Sequence, residues 1–141
     1  MIAYFDASAL VKLVIEEPGS DDAAALWDGA DAVLSSRVAN AEVRAAIAAA
    51  HRAARLTTEQ HAGARRLWAR LWAALRLVEV SPGVAQHAGD LAEEHALSGF
   101  DAIHLASALL VDAGGLIVAT WDARLATATI AVGVATLPDL P

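Results

Sequence analysis

Asp6, Glu42, Asp101 and Asp122 are the residues of this chain best suited to chemistry. Asp6 ends the apolar run Ile2–Phe5, and an acid that ends a buried run needs a partner or solvent. Asp122 follows the apolar run Leu116–Ala119 after Thr120 and Trp121. Glu42 falls in the early turns of one expected helix and Asp101 in the first turn of another. Helix starts that face the carboxyl end of a sheet would bring the four together there. Four carboxylates within a few ångströms repel one another, so either some hold protons or a cation neutralises them. Oxygen-only ligands suit a hard cation, Mg²⁺ or Mn²⁺. Such an ion between carboxylates and a phosphate lowers the pKa of bound water, polarises the phosphoryl oxygen and steadies the leaving oxygen. That chemistry requires no Ser, Cys or His nucleophile, and the chain has no cysteine.

Each acid also has a plainer explanation. Asp101 completes an S-x-x-D cap with Ser98, Asp122 can be only a helix N-cap, and Glu42 can be a solvated helix residue. Only Asp6 resists such a reading, so the case rests on joint placement.

The elements that must place these acids alternate along the chain. Ile2–Phe5 reads as a buried strand and Ala7–Ile15 as a helix. Pro18-Gly19-Ser20 is a break, with Ser20 capping a helix to Asp28. Val33-Leu34 is a short strand followed by a turn at Ser35-Ser36. Val38–Arg55 is an alanine-rich helix, and Thr57 with Gln60 forms a capping box for another that ends near Leu75. A strand at Leu77–Val80, a Pro82-initiated helix to His95 and a helix from Ser98 to Asp112 follow. Leu116–Ala119 is the clearest strand, Asp122 starts a short helix, and Val132–Ala135 is the last strand. Such alternation predicts an α/β fold, a parallel sheet with helices on both faces.

Composition sets the frame. At 141 residues the chain suits a single domain over 1–141. Its hydrophobic fraction of 57% is inflated by 36 alanines, yet the larger apolar residues suffice for one core. The longest stretch free of Asp, Glu, Lys and Arg is the 14 residues Leu125–Pro138, shorter than the ~20 of a membrane span. A soluble, cytoplasmic protein is expected. The net charge of −7 argues at first against a nucleic-acid partner. The charge is uneven, however: Arg37–Arg76 carries +6 and the remainder −13. The basic stretch is either a set of solvated helix faces or a surface for an anionic partner.

The segments FDASALVKL (Phe5–Leu13), NAEVRAA (Asn40–Ala46), GFDAIHLASAL (Gly99–Leu109) and TWDARL (Thr120–Leu125) resemble the PIN domain. More narrowly, the chain resembles the VapC toxins of bacterial type II toxin–antitoxin systems over nearly its whole length. The resemblance implies a PIN-like parallel five-stranded sheet and a Mg²⁺- or Mn²⁺-dependent endoribonuclease. It maps the family's acidic quartet onto Asp6, Glu42, Asp101 and Asp122. Asp6, Asp101 and Asp122 would hold the metal, and Glu42 would complete the site or orient the attacking water. Ser8 and Thr120 would hold a carboxylate or a water at the metal. In-line attack of water on an RNA phosphodiester would leave a 5′-phosphate and a 3′-hydroxyl. The family also implies a cognate antitoxin protein, a homodimer and a toxin–antitoxin hetero-oligomer, without a membrane. Setting the quartet aside leaves a charge of −3, so the negative total no longer excludes RNA.

Two other functions are weighed beside this one. A non-catalytic PIN-like RNA-binding module would not need the complete quartet. A haloacid-dehalogenase-like phosphatase also begins with an Asp after its first strand. That family wants a second Asp where this chain has Ser8, and Lys12 is the only lysine available.

Several residues retain two readings. Arg124 contacts RNA phosphate or pairs with a site carboxylate. Arg65 and Arg66 head the expected RNA-steering surface. Trp68 and Trp72, one helical turn apart, are either core or an antitoxin groove. His104 could face the site, but a packed or peripheral histidine is the favoured explanation. Arg44 points about 200° around its helix from Glu42, so the two do not share a catalytic face.

Overall fold

Why β1 (Ile2–Phe5) lies at the centre is visible in its own residues. Ala3 and Phe5 point into one apolar layer and Tyr4 into the other, all fully buried. Only a strand covered on both faces reads as a continuous apolar run. In the computed structural model, which describes residues 1–139, β1 pairs in parallel with β2 (Ala32–Ser36) and β4 (Ile117–Ala119). β3 (Arg76–Val78) extends the sheet beyond β2, and β5 (Ala135–Leu137) beyond β4. The order β3-β2-β1-β4-β5 is entirely parallel and agrees with the expected five-stranded α/β architecture.

Helices cover both faces. One layer holds α1 (Ala7–Val14), α2 (Ser20–Gly29), α3 (Ala39–Arg52) and α4 (Thr58–Ala74). The other holds α5 (Pro82–His95), α6 (Gly99–Val111) and α7 (Ala123–Ala131). The chain builds β1, β2 and β3 outward on one side, then returns to add β4 against β1. The β1–β4 boundary is thus the topological switch point, where open α/β sheets place their ligands.

The caps explain the helix starts. Asp6 accepts the Ala9 N–H, Ser98 the Asp101 N–H and Asp122 the Leu125 N–H. Thr57 and Gln60 exchange both bonds of a capping box.

The structure corrects several expected boundaries. Ser35 and Ser36 are not a turn but the end of β2, because β3 pairs with them and the Ser35 hydroxyl donates to the Phe5 carbonyl at 2.7 Å. Ser20 is not the cap of α2. Its hydroxyl is spent on Glu17 N–H and the Ile15 carbonyl, and Gly19 takes the cap position at φ 95°. A Cβ at Gly19 would also lie 2.6 Å from Trp121 Nε1, so the loop before α2 packs closely against the segment after β4. β3 starts and ends earlier than expected and β5 later, since Val132-Gly133 still belongs to the close of α7.

Candidate active site

The site forms where β1 and β4 end. Asp6 leaves β1 into the first turn of α1 and is 2% exposed. Its carboxylate is held by three donors: Ser8 Oγ at 2.7 Å and Ala9 N at 2.9 Å on Oδ1, and Thr120 Oγ1 at 2.5 Å on Oδ2. Both hydroxyls have a second bond. Ser8 Oγ accepts the Trp121 N–H at 2.8 Å and Thr120 Oγ1 accepts the Asp122 N–H at 3.1 Å. Ser8 and Thr120 thus tie Asp6 to the turn that carries Asp122. Burial pushes the Asp6 carboxyl above its ordinary value, opposed by His104 and these donors.

Asp122 and Glu42 both act on Asp101, the three acids standing at three separate helix starts. Burial raises the Asp101 carboxyl first, and the neighbouring Asp122 and then Glu42 add to the rise. All three are partly exposed, whereas Asp6 is buried. No Lys or Arg forms an ion pair with any of the four among the described residues. The donor set is all oxygen, which suits a hard divalent cation. Among the described residues no three acidic or histidine side chains stand close enough to hold such an ion as they are arranged.

Sequence reasoning underrates His104. It is buried at 2% exposure, as a packed histidine would be, yet its Nε2 lies 2.7 Å from Glu42 Oε1. Its Nδ1 lies 2.8 Å from the Tyr4 hydroxyl. The spacing of three residues from Asp101 on α6 was the available signal, because i and i+3 share a helix face. Nothing local in the sequence marks Tyr4 as its partner across 100 residues.

The basic residues lie elsewhere. Arg44, Arg65 and Arg66 line an open groove of about 1050 Å³ between α3 and α4, with Trp68 and Trp72. Arg44 thus faces away from Glu42's partner His104, as the helix angle predicts. Trp68 is core at 3% exposure and its Nε1 donates to Asn40 Oδ1 at 3.0 Å. Trp72 is only partly buried, with the Arg37 guanidinium 6.0 Å from its ring centre. Arg124 is exposed on α7 and forms no ion pair with a site carboxylate among the described residues. Lys12 binds Glu17 at 3.0 Å and the Pro18 carbonyl at 2.7 Å, which leaves the phosphatase reading without its lysine.

Comparison with protein families matches residues 3–130 to the PIN domain. The chain is 57% identical over 137 residues to the ribonuclease VapC45 of Mycobacterium tuberculosis (strain CDC 1551 / Oshkosh), covering 97% of this chain and 95% of that one. Among solved structures it is similar to PAE2754 from Pyrobaculum aerophilum, with a TM-score of 0.70, 22% identity and coverage of 96% and 92% of the two chains. A toxin–antitoxin complex from Klebsiella pneumoniae superposes with a TM-score of 0.60 at 23% identity, covering 84% of each chain. No described helix is long and apolar enough to cross a membrane.

Proposed function

The chain belongs to the PIN-domain family, and from that premise we propose that it is a divalent-metal-dependent endoribonuclease, the toxin of a type II toxin–antitoxin pair. One observation carries the reading: buried Asp6 ends β1 beside β4, Asp122 and Glu42 both raise the Asp101 carboxyl, and no Lys or Arg is paired to any of the four among the described residues. A site built to hold negative charge without a protein cation is a site for a metal.

Asp6, Asp101 and Asp122 would hold Mg²⁺ or Mn²⁺. When bound, the ion neutralises these carboxylates and supplies Lewis-acid activation of water and of the phosphoryl group. The protein's own contribution is placement. Ser8 and Thr120 fix both oxygens of Asp6, and Thr120 also fixes the backbone of Asp122. Asp122 raises the Asp101 carboxyl, and a bound cation would offset that repulsion. Glu42 would orient water for in-line attack and accept its proton. Products would carry a 5′-phosphate and a 3′-hydroxyl.

Arg65, Arg66 and Arg124 are the proposed RNA contacts. The partner is a cognate antitoxin protein, and a homodimer is the proposed toxin assembly, in the cytoplasm. Incubation of purified protein with RNA, with and without EDTA, tests the reading. Mg²⁺- or Mn²⁺-dependent cleavage leaving 5′-phosphate ends is expected. Full activity in EDTA, or 2′,3′-cyclic phosphate ends, overturns it.

A further inference from the structure

Glu42 has a partner that its own solvation does not require. Its side chain is 24% exposed and could be hydrated directly, and it stands near enough to Asp101 to raise that carboxyl, a like charge that would drive it outward to water. Instead its Oε1 lies 2.7 Å from His104 Nε2. An ionised carboxylate only accepts, so Nε2 carries the hydrogen. His104 Nδ1 lies 2.8 Å from the buried Tyr4 hydroxyl, which can donate or accept, so both ring nitrogens have a partner. Tyr4 itself is immobile: it is fully buried and sits in β1, paired on one side with Leu34 and on the other with Val118.

We infer that Tyr4 and His104 form a brace that fixes the Glu42 carboxylate toward the other acids, with His104 as a positioning residue for RNA cleavage. The inference rests on the endoribonuclease reading. It adds that the Glu42 carboxylate on α3 is referenced, through two hydrogen bonds, to the central strand of the sheet. Without the brace, repulsion from Asp101 turns Glu42 away from the substrate.

The test uses two amides that each mimic one ring nitrogen. His104→Asn places an acceptor where Nδ1 stands and keeps Tyr4 partnered, but no donor reaches Glu42. His104→Gln places an N–H where Nε2 stands. With the folded state checked by thermal unfolding, His104→Asn is expected to lower kcat on RNA by about 10- to 100-fold with KM little changed, and His104→Gln to recover most of it. In a Glu42→Gln background, His104→Asn should reduce the residual rate no further. Independently of activity, the hydrogen-bonded imidazole N–H signal of His104 in a ¹H–¹⁵N spectrum should move on Glu42→Gln.

Full activity of His104→Asn, equal damage by both amides, losses that multiply with Glu42→Gln, or an unmoved imidazole signal would each overturn the brace. Should His104→Asn not fold, Tyr4→Phe deletes a single oxygen and carries the same comparison. Its loss of kcat must appear with Glu42 present and vanish in the Glu42→Gln background. Failure of the unaltered protein to cleave RNA in Mg²⁺ is a different result. It would reject the endoribonuclease reading, while the spectrum would still report on the hydrogen bonds.

Discussion

Thr120 Oγ1 lies 2.5 Å from Asp6 Oδ2 and 3.1 Å from the Asp122 amide nitrogen, so a single hydroxyl joins the acid that ends β1 to the turn that follows β4. Thr120→Val keeps the side-chain shape and removes both bonds. It leaves a buried Asp6 oxygen short of a donor, which costs about 1–3 kcal/mol of stability. RNA cleavage should fall about 10- to 100-fold, because partners that orient ligating carboxylates contribute on that scale. Thr120→Ser should restore most of the rate. A valine variant with undiminished kcat/KM would show that the hydroxyl serves the fold alone.

Asp6→Asn separates chemistry from folding. Asparagine is as good an N-cap as aspartate, so α1 keeps its bond to the Ala9 N–H, and circular dichroism should be unaltered. Cleavage should be lost, because the neutral amide surrenders the charge that would hold a cation. Substantial activity in this variant would remove Asp6 from the reacting centre.

The same substitution predicts a dependence on pH. Burial raises the Asp6 carboxyl above its ordinary value, and burial with Asp122 raises Asp101. For an acid whose folded pKa exceeds its unfolded one, the stability it contributes is fully present below the unfolded value. It is lost as pH rises through the folded value. The metal-free protein should therefore lose stability from these two groups as pH climbs above the ordinary carboxyl range near 4. Asp6→Asn removes its share of that loss, so its Tm relative to the unaltered protein should rise between acid and neutral pH. Added Mg²⁺ should stabilise the unaltered protein and narrow the difference. A Tm difference that stays flat with pH would mean that Asp6 does not titrate above its ordinary value.

How much of this was legible in the sequence differs from residue to residue. The order of strands and helices was, because apolar runs and caps are local signals: Asp6, Thr57, Ser98 and Asp122 all act at helix starts as their spacing implies. The four acids were legible as a set only through where the strands end and through the family motifs. The Ser35-Ser36 strand end was not, since two serines read as a turn until β3 is known to pair there. Trp68 was equally open, because a wide apolar helix stripe does not say which part the sheet covers; its burial follows from α3 packing against α4. The Tyr4–His104–Glu42 chain was hidden because it joins β1, α6 and α3, and no local pattern encodes contacts across three elements.

The groove between α3 and α4 offers the last prediction. Arg44, Arg65 and Arg66 line it, and none of them forms an ion pair among the described residues, although the protein as a whole carries −7. Unpaired arginines give this groove a local positive charge that suits an anionic partner. If that partner is RNA, each phosphate they neutralise releases counterions and contributes about −0.7 to the slope of log K against log salt for a single strand. The double substitution Arg65→Glu with Arg66→Glu should then weaken RNA binding and flatten the slope by about one unit or more. Because neither residue touches Asp6, Asp101 or Asp122, the cleavage rate of saturated enzyme should change far less than KM. Filter binding across a salt series, with cleavage kinetics at one salt, reads both. An unchanged slope would withdraw Arg65 and Arg66 from RNA contact, and a concurrent loss of antitoxin binding would assign the arginine face to the protein partner instead.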